Sequence, residues 1–259
     1  MFHRYVAIGD STTEGMDDPD GAGGYRGWAD RFARHVAQAQ PGHPLEYANL
    51  AIRGRTTARI RAEQLRPALD LAPDLATVVA GMNDILRGSF DVSAVAGDLF
   101  AMQEALVARG ATVLTFTLPD PVPVMPIAKP LRGRVVALNA AIRKACADSG
   151  AILLDLGAHP VASDPRLWSD DRLHANTAGH ERIAAALAHA VGLPGTDDTW
   201  TLPLPSAPAR RRHEVLRAEL AWGRRHLLPW VGRHLRGRSS GDDRFAKRPD
   251  PAPVELPGT

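Results

Sequence analysis

Arg4-Tyr5-Val6-Ala7-Ile8-Gly9-Asp10-Ser11-Thr12-Thr13-Glu14-Gly15 is the stretch whose reading decides the fold. Arg4 to Ile8 is short, apolar and rich in β-formers. Gly9-Asp10-Ser11 ends it in turn-forming residues, so the segment reads as a strand running into a tight turn. Open α/β sheets bind ligands just beyond the carboxyl ends of their strands, and Ser11 stands at such an end. Asp10, Ser11 and Thr12 are equally the residue types that close turns and cap helices. Ser11 alone therefore says little; the order of the residues after it gives it weight.

Downstream, strand and helix patterns alternate. Gly27 to Ala39 reads as a helix with Trp28, Phe32 and Val36 on one face. Leu45 to Leu50 is a second strand, ending in Asn49-Leu50-Ala51-Ile52-Arg53-Gly54. Thr56 to Leu71 reads as a helix that Pro67 is expected to disturb. Leu75 to Ala80 is a buried third strand, ending in Gly81-Met82-Asn83-Asp84. A helix over Val92 to Arg109, closed by Gly110, precedes a fourth strand, Thr112 to Thr117. Pro119 to Pro130 carries five prolines and reads as a rigid, irregular loop. Its Val122, Val124, Met125 and Ile127 either border a cleft or pack on the body. A helix over Leu131 to Ser149 and a fifth strand, Ala151 to Leu156, follow. The chain then reaches Ser169-Asp170-Asp171-Arg172-Leu173-His174 and Asn176-Thr177-Ala178-Gly179-His180, before a helix to Ala190. This alternation predicts an α/β three-layer sandwich, a five-stranded parallel sheet with helices on both faces.

The 259 residues suit one domain of roughly 200 residues with an extension. The formal net charge of +2 argues against a dedicated nucleic-acid binder. That charge is uneven: residues 193–259 hold 12 Lys+Arg against 8 Asp+Glu, hence +4, which leaves 19 against 21, hence −2, in the first 192. Cys146 is the single cysteine, so no intrachain disulfide can form, and its helical setting predicts a small buried residue. The N-terminus lacks the basic and apolar regions of a signal peptide, and no apolar run approaches the roughly 20 residues of a membrane span. The expectation is a cytoplasmic protein.

Four of these segments, taken in order, resemble the sequence blocks of the GDSL hydrolases, also called the SGNH family. Gly9-Asp10-Ser11-Thr12 is similar to the first block, with Thr12 in place of its usual leucine; Gly24-Tyr25-Arg26-Gly27-Trp28 continues the likeness. Gly54 falls where the second block has a glycine, and Asn83 where the third has an asparagine. Asp171 and His174 match the Asp-x-x-His pair of the last block, with Ala175 replacing a frequent proline. The likeness covers about residues 3–191 and implies a flavodoxin-like fold and a serine hydrolase of esters or thioesters working through an acyl-enzyme. It assigns Ser11 as nucleophile, His174 as general base and Asp171 as its partner. The oxyanion hole falls to the N–H groups of Ser11 and Gly54 and to the Asn83 amide. A carboxylate three residues before an imidazole can turn back on it and fix its tautomer; an amide donates a hydrogen bond without bringing a titrating charge. Asp170 is a rival for the Asp171 role but off-register, and His180 reads as structural. The implied partner is a small-molecule ester, with no metal or organic cofactor.

Two other readings compete. Asp10, Asn83, Asp84, His174 and His180 are metal-compatible types, as a metallophosphoesterase would need, but the Asn83-Asp84 pair has no intervening histidine. A catalytically silent acyl- or glycan-binding adaptor would not need Ser11, Asp171 and His174 all intact. We divide the chain into a catalytic domain, 1–192, and an extension, 193–259. In the extension Leu202 to Pro208 reads as a linker, Ala209 to Leu228 as a basic amphipathic helix that Pro229 interrupts and Trp230 to Leu235 resumes, and Arg238 to Thr259 as a disordered tail. Val215, Leu216, Leu220, Leu227 and Leu228 give the helix an apolar face. Packing on the body is favoured for that face over contact with a membrane surface or protein partner.

Overall fold

The structure, a computed structural model, describes residues 1–206, 212–229, 232 and 241–256. Its five parallel strands are β1 (Arg4–Gly9), β2 (Glu46–Asn49), β3 (Leu75–Val79), β4 (Thr112–Phe116) and β5 (Ile152–Leu154). A sixth, β6 (Arg248–Pro253), runs antiparallel to β2, and the order across the sheet is β5-β4-β3-β1-β2-β6. The helices are α1 (Ser11–Glu14), α2 (Gly27–Ala39), α3 (Thr57–Asp70), α4 (Met82–Ile85), α5 (Val92–Val107), α6 (Arg132–Ser149), α7 (Thr177–Ala190) and α8 (Arg212–Trp222).

β1 organises the layers because its side chains alternate between the two faces of the sheet. Tyr5 and Ala7 join the core under α2 and α7, with Trp28, Phe32, Val36 and Leu187. Val6 and Ile8 join the opposite core under α3, α5 and α6, with Ile60, Leu99, Met102 and Leu138. Tyr5 stacks on Tyr47 at 5.0 Å and meets Phe32 edge-on at 5.3 Å; its hydroxyl pairs with Thr77 Oγ1 at 2.8 Å, so the buried phenol is satisfied. From β1 the chain goes to β2 on one side, while β3 lies on the other. The strand order therefore reverses beside β1, and the crevice at the ends of β1 and β3 is the ligand position of such a sheet.

Three expectations need amending. The reading of Arg238 to Thr259 as disordered fails at β6. Proline is excluded from central strands because it lacks an N–H, but an edge strand tolerates it, and Pro249, Pro251 and Pro253 all sit on this edge. The disturbance expected at Pro67 does not break the helix: α3 runs through it to Asp70, and Leu71 N–H still reaches Pro67 O at 3.1 Å. Of the expected apolar face, Leu220 and Leu228 are turned to solvent, 62% and 64% exposed, while Leu227 is half-buried. The side chains of Val215 and Leu216, and the expected resumption over Trp230 to Leu235 apart from Gly232, lie outside the described residues. Among the described residues, no helix is long and apolar enough to cross a membrane.

The start of the extension is anchored by Trp200. It is 8% exposed, meets His159 edge-on at 4.6 Å and donates to His189 Nδ1 at 3.2 Å. Arg182 Nη1 bonds the carbonyls of Trp200 and Leu202 at 2.8 and 2.6 Å. Removing a buried Trp side chain leaves a cavity and typically costs about 3–5 kcal/mol. Trp200→Ala should therefore lower the unfolding free energy of the full chain, read from urea denaturation, by that order; an unchanged midpoint would show that this segment does not dock.

Candidate active site

Ser11 is the first residue of α1, set directly on the carboxyl end of β1. Gln64 secures that end: its Nε2 donates to Gly9 O at 2.9 Å, and its Oε1 accepts from Gly9 N at 2.8 Å. Asp10 caps the helix, accepting from Thr12 N at 3.0 Å. The first N–H groups of a helix have no partner within it, so the Ser11 backbone is suited to hold an anion.

His174 lies 163 residues away in sequence, yet its Nε2 is 2.8 Å from Ser11 Oγ. Its Nδ1 is 2.7 Å from Asp171 Oδ2. The Asp171 turn makes this geometry: Oδ1 accepts from Leu173 N at 2.8 Å and His174 N at 3.0 Å, which aims Oδ2 at the ring. With Asp171 accepting Nδ1–H, the Nε2 lone pair faces the serine hydroxyl. Asp170, the rival, is exposed and takes no part. Burial opposes charge on His174, but the hydrogen bond and charge of Asp171, with Asp17 and Asp10 adding, hold its pKa above the usual histidine value. Burial likewise opposes charge on Asp171, and the His174 bond and charge outweigh it, so its carboxyl falls well below the usual range.

Asn83 sits in α4, at the end of β3. Its Nδ2 donates to Asp10 Oδ2 at 2.9 Å and to Arg55 O at 3.1 Å, so both amide hydrogens are engaged. Gly54 adopts φ 74°, a left-handed conformation that glycine takes without penalty. On either side of it, Arg53 is ion-paired to Glu14 and Arg55 to Glu63.

Sequence reasoning missed Asp17 and Ser169. Asp17 holds φ 67°, unusual for a residue other than glycine. Its Oδ2 is 2.6 Å from Ser169 Oγ, which is 2.7 Å from Asp171 Oδ1. A second carboxylate thus stands behind the first, 4.0 Å from His174 Nδ1. Only the place of Asp17 in the glycine-rich loop after Ser11 could have pointed to it.

Of the metal-compatible set named from sequence, Asn83 bonds Asp10, and Asp84 and His180 are engaged with other partners. Asp84 Oδ2 accepts from Thr57 N and Oγ1, both at 2.9 Å. His180, fully buried, accepts from Trp28 N and lies 3.0 Å from Met16 O, a structural role. Among the described residues, the donor atoms that do gather, from Asp17, Asp171 and His174 within 4.8 Å of one another, include the His174–Asp171 pair already bonded to each other. Cys146 is buried, and that burial pushes its thiol pKa up to about 11.

Beside Ser11 an apolar cavity opens between Thr12 and Met82, lined further by Leu118, Val161, Trp168 and Leu173. A second lies next to it, where Val124 and Met125 of the proline-rich loop face Met82 and Leu173. Ile127, expected with them, is 58% exposed.

A sequence model of the GDSL-like lipase/acylhydrolase family matches residues 7–182, most of the chain and all of the groups just described. The chain belongs to this family, and it is an ester hydrolase of the GDSL type. Among solved structures it is similar to TesA, with a TM-score of 0.61 at 20% identity over 73% of this chain and 98% of that one. It is similar too to a catalytic mutant of Axe2, an acetylxylan esterase from Geobacillus stearothermophilus, with a TM-score of 0.63 at 16% identity over 76% and 97%. LAE5, from the metagenome of Lake Arreo, gives 0.58 at 23% identity over 75% and 97%. At such identities the likeness speaks to the fold. A search of the curated proteins gives no match.

The two buried histidines should titrate in opposite directions. His174 should keep its proton above the ordinary value of about 6.5, while burial pushes His180 down to about 4. NMR titration of the ring resonances checks both. Asp171→Asn should lower the His174 value and leave that of His180 in place.

Proposed function

We propose that this protein hydrolyses carboxylic esters through an acyl-enzyme formed on Ser11. The observation that carries this reading is the unbroken relay from Ser11 Oγ to His174 Nε2, at 2.8 Å, and from His174 Nδ1 to Asp171, at 2.7 Å. Ser11 Oγ attacks the acyl carbonyl as His174 Nε2 takes its proton. The same proton passes to the leaving alkoxide, so the alcohol departs neutral. Water, deprotonated by His174, then attacks the acyl-enzyme, and Ser11 recovers its proton. Asp171 holds the ring and stabilises its charged form.

The oxyanion is assigned to the N–H groups of Ser11 and Gly54 and to the Asn83 amide. Because both Asn83 hydrogens already have acceptors, the substrate oxygen must displace one of them. Arg55 O, neutral and the more distant at 3.1 Å, is the one to yield. A developing negative charge is the stronger acceptor, so this exchange favours the transition state over the bound ester. The acyl chain fits the apolar cavity between Thr12 and Met82.

Ser11→Ala should lower kcat by roughly 10⁴–10⁶ and abolish labelling by a fluorophosphonate, on a protein of unchanged circular dichroism. Retention of most activity would sink the assignment. Asn83→Ala should lower kcat by about 10²–10³ with a smaller change in KM; a change confined to KM would mark Asn83 as a ground-state contact. A chain-length series of p-nitrophenyl esters, run beside acetylated xylan, tests the acyl cavity.

A further inference from the structure

Arg172, between the two residues assigned to the triad, holds φ +63°. Such a conformation persists in a residue other than glycine only when the surroundings fix it; the turn bonds itself through Arg172 N to Ser169 O, and the C-terminal extension meets it from outside. Glu219 of α8 takes the Arg172 guanidinium in a two-pronged ion pair, Nη1 to Oε2 at 2.7 Å and Nη2 to Oε1 at 2.8 Å. The Trp222 ring lies against the same guanidinium, 4.7 Å from ring centre to Cζ. Trp222 Nε1–H also donates to Asp171 O at 3.2 Å. Three interactions from one helix thus converge on the two residues whose turn aims Asp171 at His174.

The extension grips the other side of the site as well. Gly241 is buried, and its carbonyl accepts from Arg55 Nη1 at 3.1 Å. A Cβ there would stand 1.8 Å from Arg53 O, so only glycine permits the approach. The Arg55 carbonyl is in turn the acceptor held by Asn83.

We propose that the C-terminal extension is a working part of the catalytic centre, with Glu219 and Trp222 as positioning residues that hold the Asp171–His174 turn through Arg172. The inference rests on His174 being the base of the relay and Asp171 the carboxylate that orients it. Arginine at position 172 accepts a conformation suited to glycine because its side chain is the handle that α8 grasps.

The test uses the full-length protein and a p-nitrophenyl ester. Glu219→Arg and Trp222→Phe should each lower kcat about ten- to hundredfold, the scale of a misplaced catalytic group, while KM changes less than about twofold. Both should also lower the apparent pKa of the acid limb of kcat, because a loosened Asp171 supports less charge on His174. The swapped pair Arg172→Glu with Glu219→Arg should recover most of the lost rate. Arg172→Gly, which suits the backbone but has no side chain to grasp, should lose as much kcat as Glu219→Arg, and it keeps the test open if another variant fails to fold. Wild-type kcat and pH profile in folded Glu219→Arg, Trp222→Phe or Arg172→Gly would overturn the proposal. Asp171→Asn and Ser11→Ala run alongside: if they too keep full activity, the assigned relay has failed, which differs from failure of the α8 contact alone.

Discussion

One buried carboxylate ties the site together. Asp10 is 1% exposed, and each of its oxygens has a donor: Thr12 N on one, Asn83 Nδ2 on the other. The first bond starts α1 and so sets Ser11. The second fixes the amide at the end of β3. Burial pushes the Asp10 pKa up to about 6, and the Thr12 bonds and the charge of His174 work against that cost. The residue thus spans the reversal of strand order and ties the Ser11 turn to the Asn83 amide.

The same economy governs the far side of the site. His174 must reach Ser11 across the crevice from a loop that is neither helix nor strand. Such a loop is held only by what it touches. Asp171 bonds its own downstream N–H groups, Ser169 bridges to Asp17, and α8 holds Arg172 from outside. Asp18 adds a brace at the entrance to α2, accepting from Arg31, Gly27 N and Thr177 Oγ1. Loop, glycine-rich segment and extension behave as one packed unit around the imidazole.

What could be read in the sequence was what is local. β1, α2, β3 and α7 announce themselves through runs and periodicities contained within each element, and α2 begins and ends at the residues its pattern indicated. Ser11 was legible as a turn residue at the end of β1, and Asp171 and His174 as a pair resembling the family's last block; that the three gather comes from the fold. The rest depends on partners far along the chain. β6 reads as disorder because three prolines in six residues deny it any intrinsic strand preference; its evidence is the open edge of β2, some 200 residues earlier. The engagement of Asn83 by Arg55 O and the approach of Asp17 to Ser169 are likewise contacts between loops. The leucines of the extension suggested an apolar seat, but Leu220 lies open to solvent, and α8 meets the catalytic loop through an ion pair and an indole.

Biosynthesis gives β6 a further meaning. Until it arrives, β2 presents an open edge, a template on which a second chain could add a strand. The segment that closes this edge follows β2 by some 200 residues, so each nascent chain carries the open edge while that length is made. Once seated, β6 does not pass the hazard on. Val254 N–H bonds Leu45 O, and by the alternation of a strand the neighbouring Pro253 turns its nitrogen away from β2. That nitrogen carries no hydrogen, so the finished rim offers another molecule no backbone donor there.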